Sequence, residues 1–220
     1  MISLPEMGKA ALTRLKNSNV LVIGAGGLGS ATIPTLAAAG IGHLGIVEFD
    51  KVEESNLQRQ LIYTPSDIGK EKIHIARAKA EQLNSNLKVS IFQERFDQTN
   101  AKDLVSAFDL ILDCTDNLPT RFLINDTCAE LKKPLIYASV SDYKGMVTIL
   151  HYQKETNLRD IFPDAPEKAE AAGIVPTLPM VIGSIQANEA IKLLTEIGDI
   201  LDGQLLTFNI LKNSFNVVSL

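Results

Sequence analysis

Four glycines fall within the segment GAGGLG at positions 24–29, namely Gly24, Gly26, Gly27 and Gly29. Glycines in such a segment let the backbone turn sharply, approach a phosphate closely and pack a following helix against a sheet. The free amides and the positive dipole end of a helix that begins here attract anions. The segment therefore predicts a phosphate-binding turn.

A carboxylate follows at the spacing of a dinucleotide-binding unit. Asp50 ends the apolar run 44–49, and a carboxylate at this place accepts hydrogen bonds from ribose hydroxyls. ATP and NAD both carry that ribose, so Asp50 leaves the nucleotide open. Glu48 lies on the opposite face of the strand by the two-residue alternation, which predicts a solvated or structural role.

Further charged residues favour a triphosphate. A site that binds a triphosphate and stabilises a departing pyrophosphate needs added cations, and Arg59 and Lys72 are the candidates. Asp116 follows the apolar segment 109–113, and magnesium prefers carboxylate and phosphate oxygens. The alternatives are ordinary surface charge for the two cations and a helix N-cap for Asp116.

Alternating apolar segments must position these groups. A strand–helix alternation predicts an α/β fold with a doubly wound, mostly parallel sheet, extended by antiparallel strands near the C-terminus. Residues 153–175 are charged, contain prolines and lack periodicity, which predicts a long functional loop in a single domain covering 1–220. The predicted strands cover 19–23, 44–49, 89–92, 109–113, 134–140, 145–152, 204–209 and 215–218, and the predicted helices 28–39, 70–83, 118–131 and 176–197.

Composition excludes several classes of protein. Hydrophobic residues make up 45% and charged residues 21%, which is typical of a globular protein and not of a disordered one. A net charge of -5 gives no electrostatic reason to bind nucleic acid or an anionic membrane. The two cysteines, Cys114 and Cys128, lie in apolar patterns and predict core residues in a reducing cytoplasm.

In this order and spacing, the segments GAGGLGS, IVEFD, SNLQRQ, GKEK and DCTDN resemble the ThiF/MoeB/HesA group, the bacterial relatives of ubiquitin-activating enzymes. The resemblance covers most of the chain. It implies an adenylyltransferase that acts on a small ubiquitin-like sulfur carrier of the ThiS or MoaD kind, ending in Gly-Gly. The carrier's carboxylate attacks the α-phosphate of ATP, and the acyl-adenylate later receives sulfur for thiamine or molybdopterin synthesis. A cytoplasmic homodimer is also implied.

The resemblance assigns roles to individual residues. It gives the phosphates to the glycine turn, the ribose to Asp50 and the magnesium ion to Asp116, through ATP. Catalysis is assigned to Arg59, Lys72 and Asp116. The nucleotide-binding set then comprises Gly24, Gly26, Gly27, Gly29, Asp50, Asn56, Arg59, Gln60, Lys72, Asp116 and Asn117.

Three departures from the family's pattern carry expectations. Many relatives have a cysteine where this chain has Ala169, so no thioester is expected at that position and sulfur would come from a separate donor protein. The Cys-x-x-Cys pairs of zinc-binding relatives are absent at 156–159 and 217–220, which predicts no structural zinc. In the family, an arginine-bearing segment usually precedes the stretch that corresponds to Leu4-Pro5-Glu6. Either the natural chain starts further upstream, or the ATP site has one cation fewer to stabilise the leaving pyrophosphate.

Two other functions remain open at this point. A binding module would keep the nucleotide and carrier sites but have little turnover. An NAD-dependent oxidoreductase is compatible with the glycine turn and Asp50, but leaves Arg59, Lys72 and Asp116 unexplained. Between the two pathways, the missing zinc cysteines favour thiamine.

Overall fold

The computed structural model describes Leu4, residues 6–163 and residues 173–220. Its strands are β1 (Asn19–Ile23), β2 (His43–Val47), β3 (Lys88–Phe92), β4 (Leu110–Asp113), β5 (Leu135–Ser141), β6 (Lys144–Leu150), β7 (Gln204–Asn209) and β8 (Ser214–Ser219). They form one sheet in the order β3-β2-β1-β4-β5-β6-β7-β8. The pairings from β3 to β5 are parallel and those from β5 to β8 are antiparallel. The predicted fold class is confirmed.

Helices cover both faces of this sheet. They are α1 (Lys9–Asn17), α2 (Gly29–Ala39), α3 (Lys72–Leu83), α4 (Ala101–Ser106), α5 (Leu118–Leu131), α6 (Leu158–Ile161) and α7 (Thr177–Thr195), with short 3-10 turns at Glu54–Asn56 and Pro65–Asp67. None of the helices in the described ranges has the length and apolar character needed to cross a bilayer.

The central strand β1 shows why its sequence is apolar throughout. Val20 and Val22 pack into one core cluster with residues of α2 and α7, whereas Leu21 and Ile23 pack into a second cluster with residues of α4 and α5. A parallel strand with helices on both faces buries both sets of side chains. Burying each such side chain contributes about 1.5–3 kcal/mol before entropy is counted.

Most predicted bounds differ from the observed ones by one or two residues, and two of these differences have a clear local cause. The second strand was predicted to reach Phe49 but ends at Val47, because the Glu48 carboxylate accepts the N–H groups of Phe49 and Asp50 and turns the chain. The helix predicted from Lys70 begins two residues later, at Lys72, because the Lys70 carbonyl accepts from the Val52 N–H instead.

Three helices were missed by the sequence analysis. Helices α1 and α4 are short and carry many polar residues. Helix α6 lies inside the segment predicted as a loop, 153–175, so the described part of that segment has secondary structure of its own. Asn157 begins this helix by accepting the N–H of Arg159, which is an ordinary N-cap contact.

Candidate functional site

A cavity lies where the strand order reverses, between β1 and β4. Ligands of open α/β sheets bind at this point, outside the carboxyl ends of the strands. The cavity has a volume of about 600 Å³. Of the predicted site residues, those that line it are Gly24, Gly26, Gly27, Asp50, Arg59, Gln60, Lys72, Asp116 and Asn117.

The glycine turn needs its glycines for different reasons. Gly24 has a φ of 98°, and a Cβ there would lie 2.7 Å from the Cys114 carbonyl oxygen. A Cβ on Gly29 would lie 2.5 Å from the Gly24 carbonyl oxygen. Both glycines therefore permit close backbone packing, and Gly29 lies outside the cavity wall. A Cβ on Gly26 would meet only the Gln60 Nε2, at 3.6 Å.

The amides of the turn are available to a ligand. Among the described residues, the N–H groups of Gly26, Gly27 and Leu28 have no hydrogen-bond acceptor, while the carbonyls of Gly26 and Leu28 accept the first bonds of α2. Donors left free at a helix N-terminus bind anions, and the helix dipole adds to the attraction. The turn thus has the geometry that the sequence predicts for phosphate.

The peptide groups at Ala25 hold the turn in place. The Ala25 N–H donates to the Glu48 Oε2 at 2.8 Å, and the Ala25 carbonyl accepts from the Tyr63 hydroxyl at 2.8 Å. Glu48 is buried, so its structural role is confirmed and a solvated one is excluded. Burial raises the pKa of the Tyr63 phenol, with smaller contributions from Glu48 and Asp50, and the phenol stays a donor.

Asp50 and Lys72 form an ion pair at the end of β2. The Lys72 Nζ lies 3.4 Å from the Asp50 Oδ2, and the Lys72 side chain is 5% exposed whereas that of Asp50 is 51% exposed. The ammonium group is thus held beside the carboxylate in the cavity wall. The alternative of ordinary surface charge does not fit a buried lysine.

The segment after β2 supplies Arg59 and Gln60 to the cavity. The Arg59 Nη1 donates to the Ser55 carbonyl at 3.0 Å, and this bond fixes the orientation of the half-buried Arg59 side chain. Gln60 is buried, and its Oε1 accepts no hydrogen bond from the described residues. This oxygen can therefore accept a hydrogen bond from a ligand. Asn56 is not in the cavity wall, because its side chain bonds to the Glu53 N–H and to Ser55.

Asp116 and Asn117 follow β4 at the cavity edge. The N-cap alternative for Asp116 is wrong, because the Asn117 Oδ1 accepts the Thr120 N–H at 3.0 Å and caps α5. The Asp116 carboxylate is exposed and lines the cavity. An exposed carboxylate of this kind is one of the ligand types that magnesium binds.

Neither cysteine is a plausible nucleophile. Cys114 and Cys128 are both buried, and burial raises the pKa of each thiol. Their prediction as core residues is confirmed. In the described part of the chain, no group of three or more His, Cys, Asp or Glu residues is arranged to hold a metal ion.

Two arginines that line the cavity were missed by the sequence analysis. Arg121 lines the cavity from the first turn of α5, and Arg95 lines it while lying 4.1 Å from the Phe49 ring centroid. Arg121 could have been found, because it follows the Asn117 cap by one helical turn and helical side chains point back toward the N-terminus. Arg95 follows β3 and gives no comparable signal in the sequence.

Comparisons with known proteins decide the family. A family model described as the ThiF family matches residues 1–220. This chain belongs to the ThiF family. The predicted resemblance is confirmed.

The curated relatives of this ThiF-family chain are named as adenylyltransferases, which confirms the predicted enzyme class. A Thermus thermophilus protein named sulfur carrier protein adenylyltransferase is 38% identical over 96% of this chain and 82% of its own length. A probable molybdopterin-synthase adenylyltransferase of Porphyra purpurea is 40% identical over 96% of this chain and 57% of its own length. The Mycobacterium tuberculosis protein named probable adenylyltransferase/sulfurtransferase MoeZ is 38% identical over 99% of this chain. The chain spans 58% of that relative, so it matches little more than half of two of these three proteins.

Solved structures share the fold of this ThiF-family chain. PaaA has a TM-score of 0.80 at 24% identity and covers 96% of this chain and 66% of its own. E. coli MccB with ATP has a TM-score of 0.81 at 20% identity, covering 96% and 65%. The expectation about Ala169, the position of a cysteine in many ThiF-family relatives, lies outside the described residues.

Proposed function

We propose that this ThiF-family chain uses ATP to adenylate the C-terminal glycine carboxylate of a small ubiquitin-like sulfur carrier. The observation that carries the proposal is the convergence of three free amides, two cations and a ribose-type carboxylate on one cavity. Relatives named for sulfur carrier and molybdopterin-synthase adenylylation support it. An NAD-dependent reaction has no use for Arg59 and Lys72.

Each group of cavity residues has its own role in this reaction. The amides of the glycine turn bind phosphate oxygens, and Asp50 accepts from the ribose hydroxyls. Arg59 and Lys72 neutralise the polyphosphate and the pyrophosphate that leaves. The attacking carboxylate is already ionised near neutral pH, so catalysis needs positioning and charge stabilisation and no general base.

Magnesium fits the residues present. Asp116 offers an exposed carboxylate in the wall of the same cavity that Arg59 and Lys72 line. When bound, magnesium shields phosphate charge and orients the α-phosphate for attack. Asn117, which caps α5, keeps the backbone at Asp116 in place.

The sulfur step belongs to another protein in this proposal. Both cysteines of the chain are buried and have a raised pKa, which supports a separate sulfur donor. Assembly as a homodimer in the cytoplasm is the arrangement that the family resemblance implies. The Cys-free segment at 156–159 favours thiamine synthesis, whereas the Porphyra purpurea relative is named for molybdopterin synthase.

Exchange of pyrophosphate into ATP tests the proposal. We expect exchange that requires magnesium and a carrier ending in Gly-Gly, measured separately with a ThiS-type and a MoaD-type carrier. The matched control is the same carrier without its terminal glycine, which should support no exchange. Activity with one carrier type only would assign the pathway, and exchange with neither type would overturn the proposal.

A further inference from the structure

Arg121 occupies a cavity position that none of the roles above uses. It lies in the first turn of α5 and lines the cavity. Its Nη2 donates to the Thr115 carbonyl at 2.8 Å, and its guanidinium carbon lies 5.7 Å from the centroid of the Tyr137 ring. These two contacts hold the planar group at the end of β4, beside Asp116.

Much of the hydrogen-bonding capacity of Arg121 is unused. The Nε is buried and has no acceptor among the described residues, and a guanidinium carries five donors in a fixed fork. In the described ranges Arg121 also forms no ion pair within 4 Å. The carboxyl of Asp113 is buried nearby, with its Oδ2 unpartnered, and burial raises its pKa against the opposing charge of Arg121. Arg121 is thus a cavity-lining cation without an ion-pair partner among the described residues, and such a cation favours an anionic ligand.

The position of Arg121 separates it from the cations of the polyphosphate. Lys72 is paired with Asp50 at the end of β2, on one side of the glycine turn. Arg121 lies on the other side, between β4 and β5. The cavity wall on this side continues through Val140, Ser141 and Ile174, which carry no charge. A narrow, uncharged peptide tail with one terminal negative charge fits such a wall.

We propose that Arg121 receives the terminal carboxylate of the acyl substrate and holds it for attack on the α-phosphate. The inference rests on the proposed function. A carboxylate oxygen forms the new bond to the α-phosphorus, the bond from that phosphorus to the bridging oxygen breaks, and pyrophosphate leaves with the electron pair. Because the acyl-adenylate no longer has a free carboxylate, Arg121 distinguishes the substrate from the product.

Binding of two forms of one carrier tests this role without turnover. The probes are a ThiS-type and a MoaD-type carrier, each prepared with a free C-terminal carboxylate and with a C-terminal amide. Calorimetry should show that the wild-type chain binds the free acid of its carrier about 10- to 100-fold more tightly than the amide, as is typical of a charged hydrogen bond. In Arg121→Gln this preference should disappear. Arg121→Lys should keep part of it.

Three controls separate the role from a folding effect. Gln is shorter than Arg and loses the bond to the Thr115 carbonyl, so thermal unfolding reports whether Arg121→Gln remains folded. ATP binding should change less than twofold in this variant. Arg77→Gln removes an exposed arginine that pairs with Glu81 on α3, and it should leave both the acid preference and the ATP affinity unchanged.

The remaining outcomes contradict the proposal in distinguishable ways. If Arg121→Gln weakens ATP binding and keeps the preference for the free acid, Arg121 is a phosphate ligand and the proposed function still stands. Equal weakening of the acid and amide forms makes Arg121 structural. If the wild-type chain binds neither carrier in either form, the proposed function itself fails.

Discussion

At the scale of single residues, Arg59 and Lys72 line one cavity in different surroundings. Arg59→Ala should lower pyrophosphate exchange about 100-fold, as expected when one charge-stabilising donor is lost, and change the free energy of unfolding by less than about 0.5 kcal/mol. Lys72→Ala should lower exchange by a similar factor and cost about 1–2 kcal/mol of stability, because its side chain is buried. Lys70→Ala, which removes an exposed lysine, is the control for both measurements. Equal stability of the Arg59 and Lys72 variants would contradict this distinction.

Glu48 and Tyr63 hold the backbone of the glycine turn through hydrogen bonds to the peptide groups of Ala25. Glu48→Gln should lower the free energy of unfolding by about 2 kcal/mol, because a buried N–H loses its charged acceptor. Tyr63→Phe should cost about 1 kcal/mol by leaving the Ala25 carbonyl unpaired. Denaturant unfolding measures these losses of stability, and calorimetry should show that both variants bind ATP more weakly than the wild type. If either variant binds ATP as the wild type does, the bonds to Ala25 are not needed to shape the turn.

The sequence predicts some of these site residues but not the contacts that they make. Asp50 and Asp116 were found because each follows an apolar strand, where a carboxylate reaches the edge of the sheet. Glu48 was assigned to the opposite face by alternation, and the strand ends before it, so its contacts with Ala25 and Asp50 could not be predicted. Arg121 follows the Asn117 cap by one helical turn, which the sequence shows, but its contacts with Thr115 and Tyr137 could not be predicted from it.

At the scale of elements, two glycines of the same turn should respond differently to the same change. Gly29→Ala should destabilise the fold by more than about 2 kcal/mol, because its Cβ would meet backbone at 2.5 Å. Gly26→Ala has room at its Cβ and should keep stability while weakening ATP binding about tenfold or more by filling phosphate space. Thermal unfolding and calorimetry on the pair separate packing from binding. Loss of stability in Gly26→Ala would contradict the assignment.

A second element-level prediction concerns the contact between α5 and His151, the residue that follows β6. The His151 Nε2 lies 2.9 Å from the buried Asn125 Oδ1, and burial lowers the pKa of His151, opposed in part by Asp126. The neutral ring is therefore favoured in the folded state. Its contribution to stability is complete above the unfolded pKa of about 6.5 and is lost as pH falls through the lower folded pKa.

Replacing this histidine isolates the pH effect. His151→Gln keeps an N–H donor toward Asn125 but does not titrate. Between about pH 7.5 and about pH 5, the free energy of unfolding should fall more in the wild type than in this variant, because His43 and the carboxylates titrate in both. Equal losses in the two proteins would contradict the prediction.

Elements differ in how far the sequence predicts them. The strand 19–23 and the helix 118–131 were predicted with the bounds that the structure shows, since one is buried on both faces and the other begins at an Asn cap. Helices α1 and α4 bury few residues, so no long apolar period marks them. Helix α6 depends on contacts between distant segments, such as the N–H of Leu158 with Asn125.

At the scale of the whole molecule, the parallel and antiparallel halves of the sheet have different roles. The parallel strands place the glycine turn, Asp50 and Asp116 around one cavity, while the antiparallel strands extend the sheet from β5. The resemblance to the ThiF family came from five segments in order, whereas Arg59, Lys72 and Asp116 were the residues that favoured ATP over NAD.

The mass of an intact carrier tests the central claim most directly. The chain is incubated with ATP, magnesium and a Gly-Gly-ended carrier in the absence of any sulfur donor. The account predicts a carrier heavier by one AMP moiety, with an equal amount of pyrophosphate released, and about 100-fold slower formation of both products in Arg59→Ala. A carrier of unchanged mass, with either carrier type and with ATP bound to the chain, would contradict it.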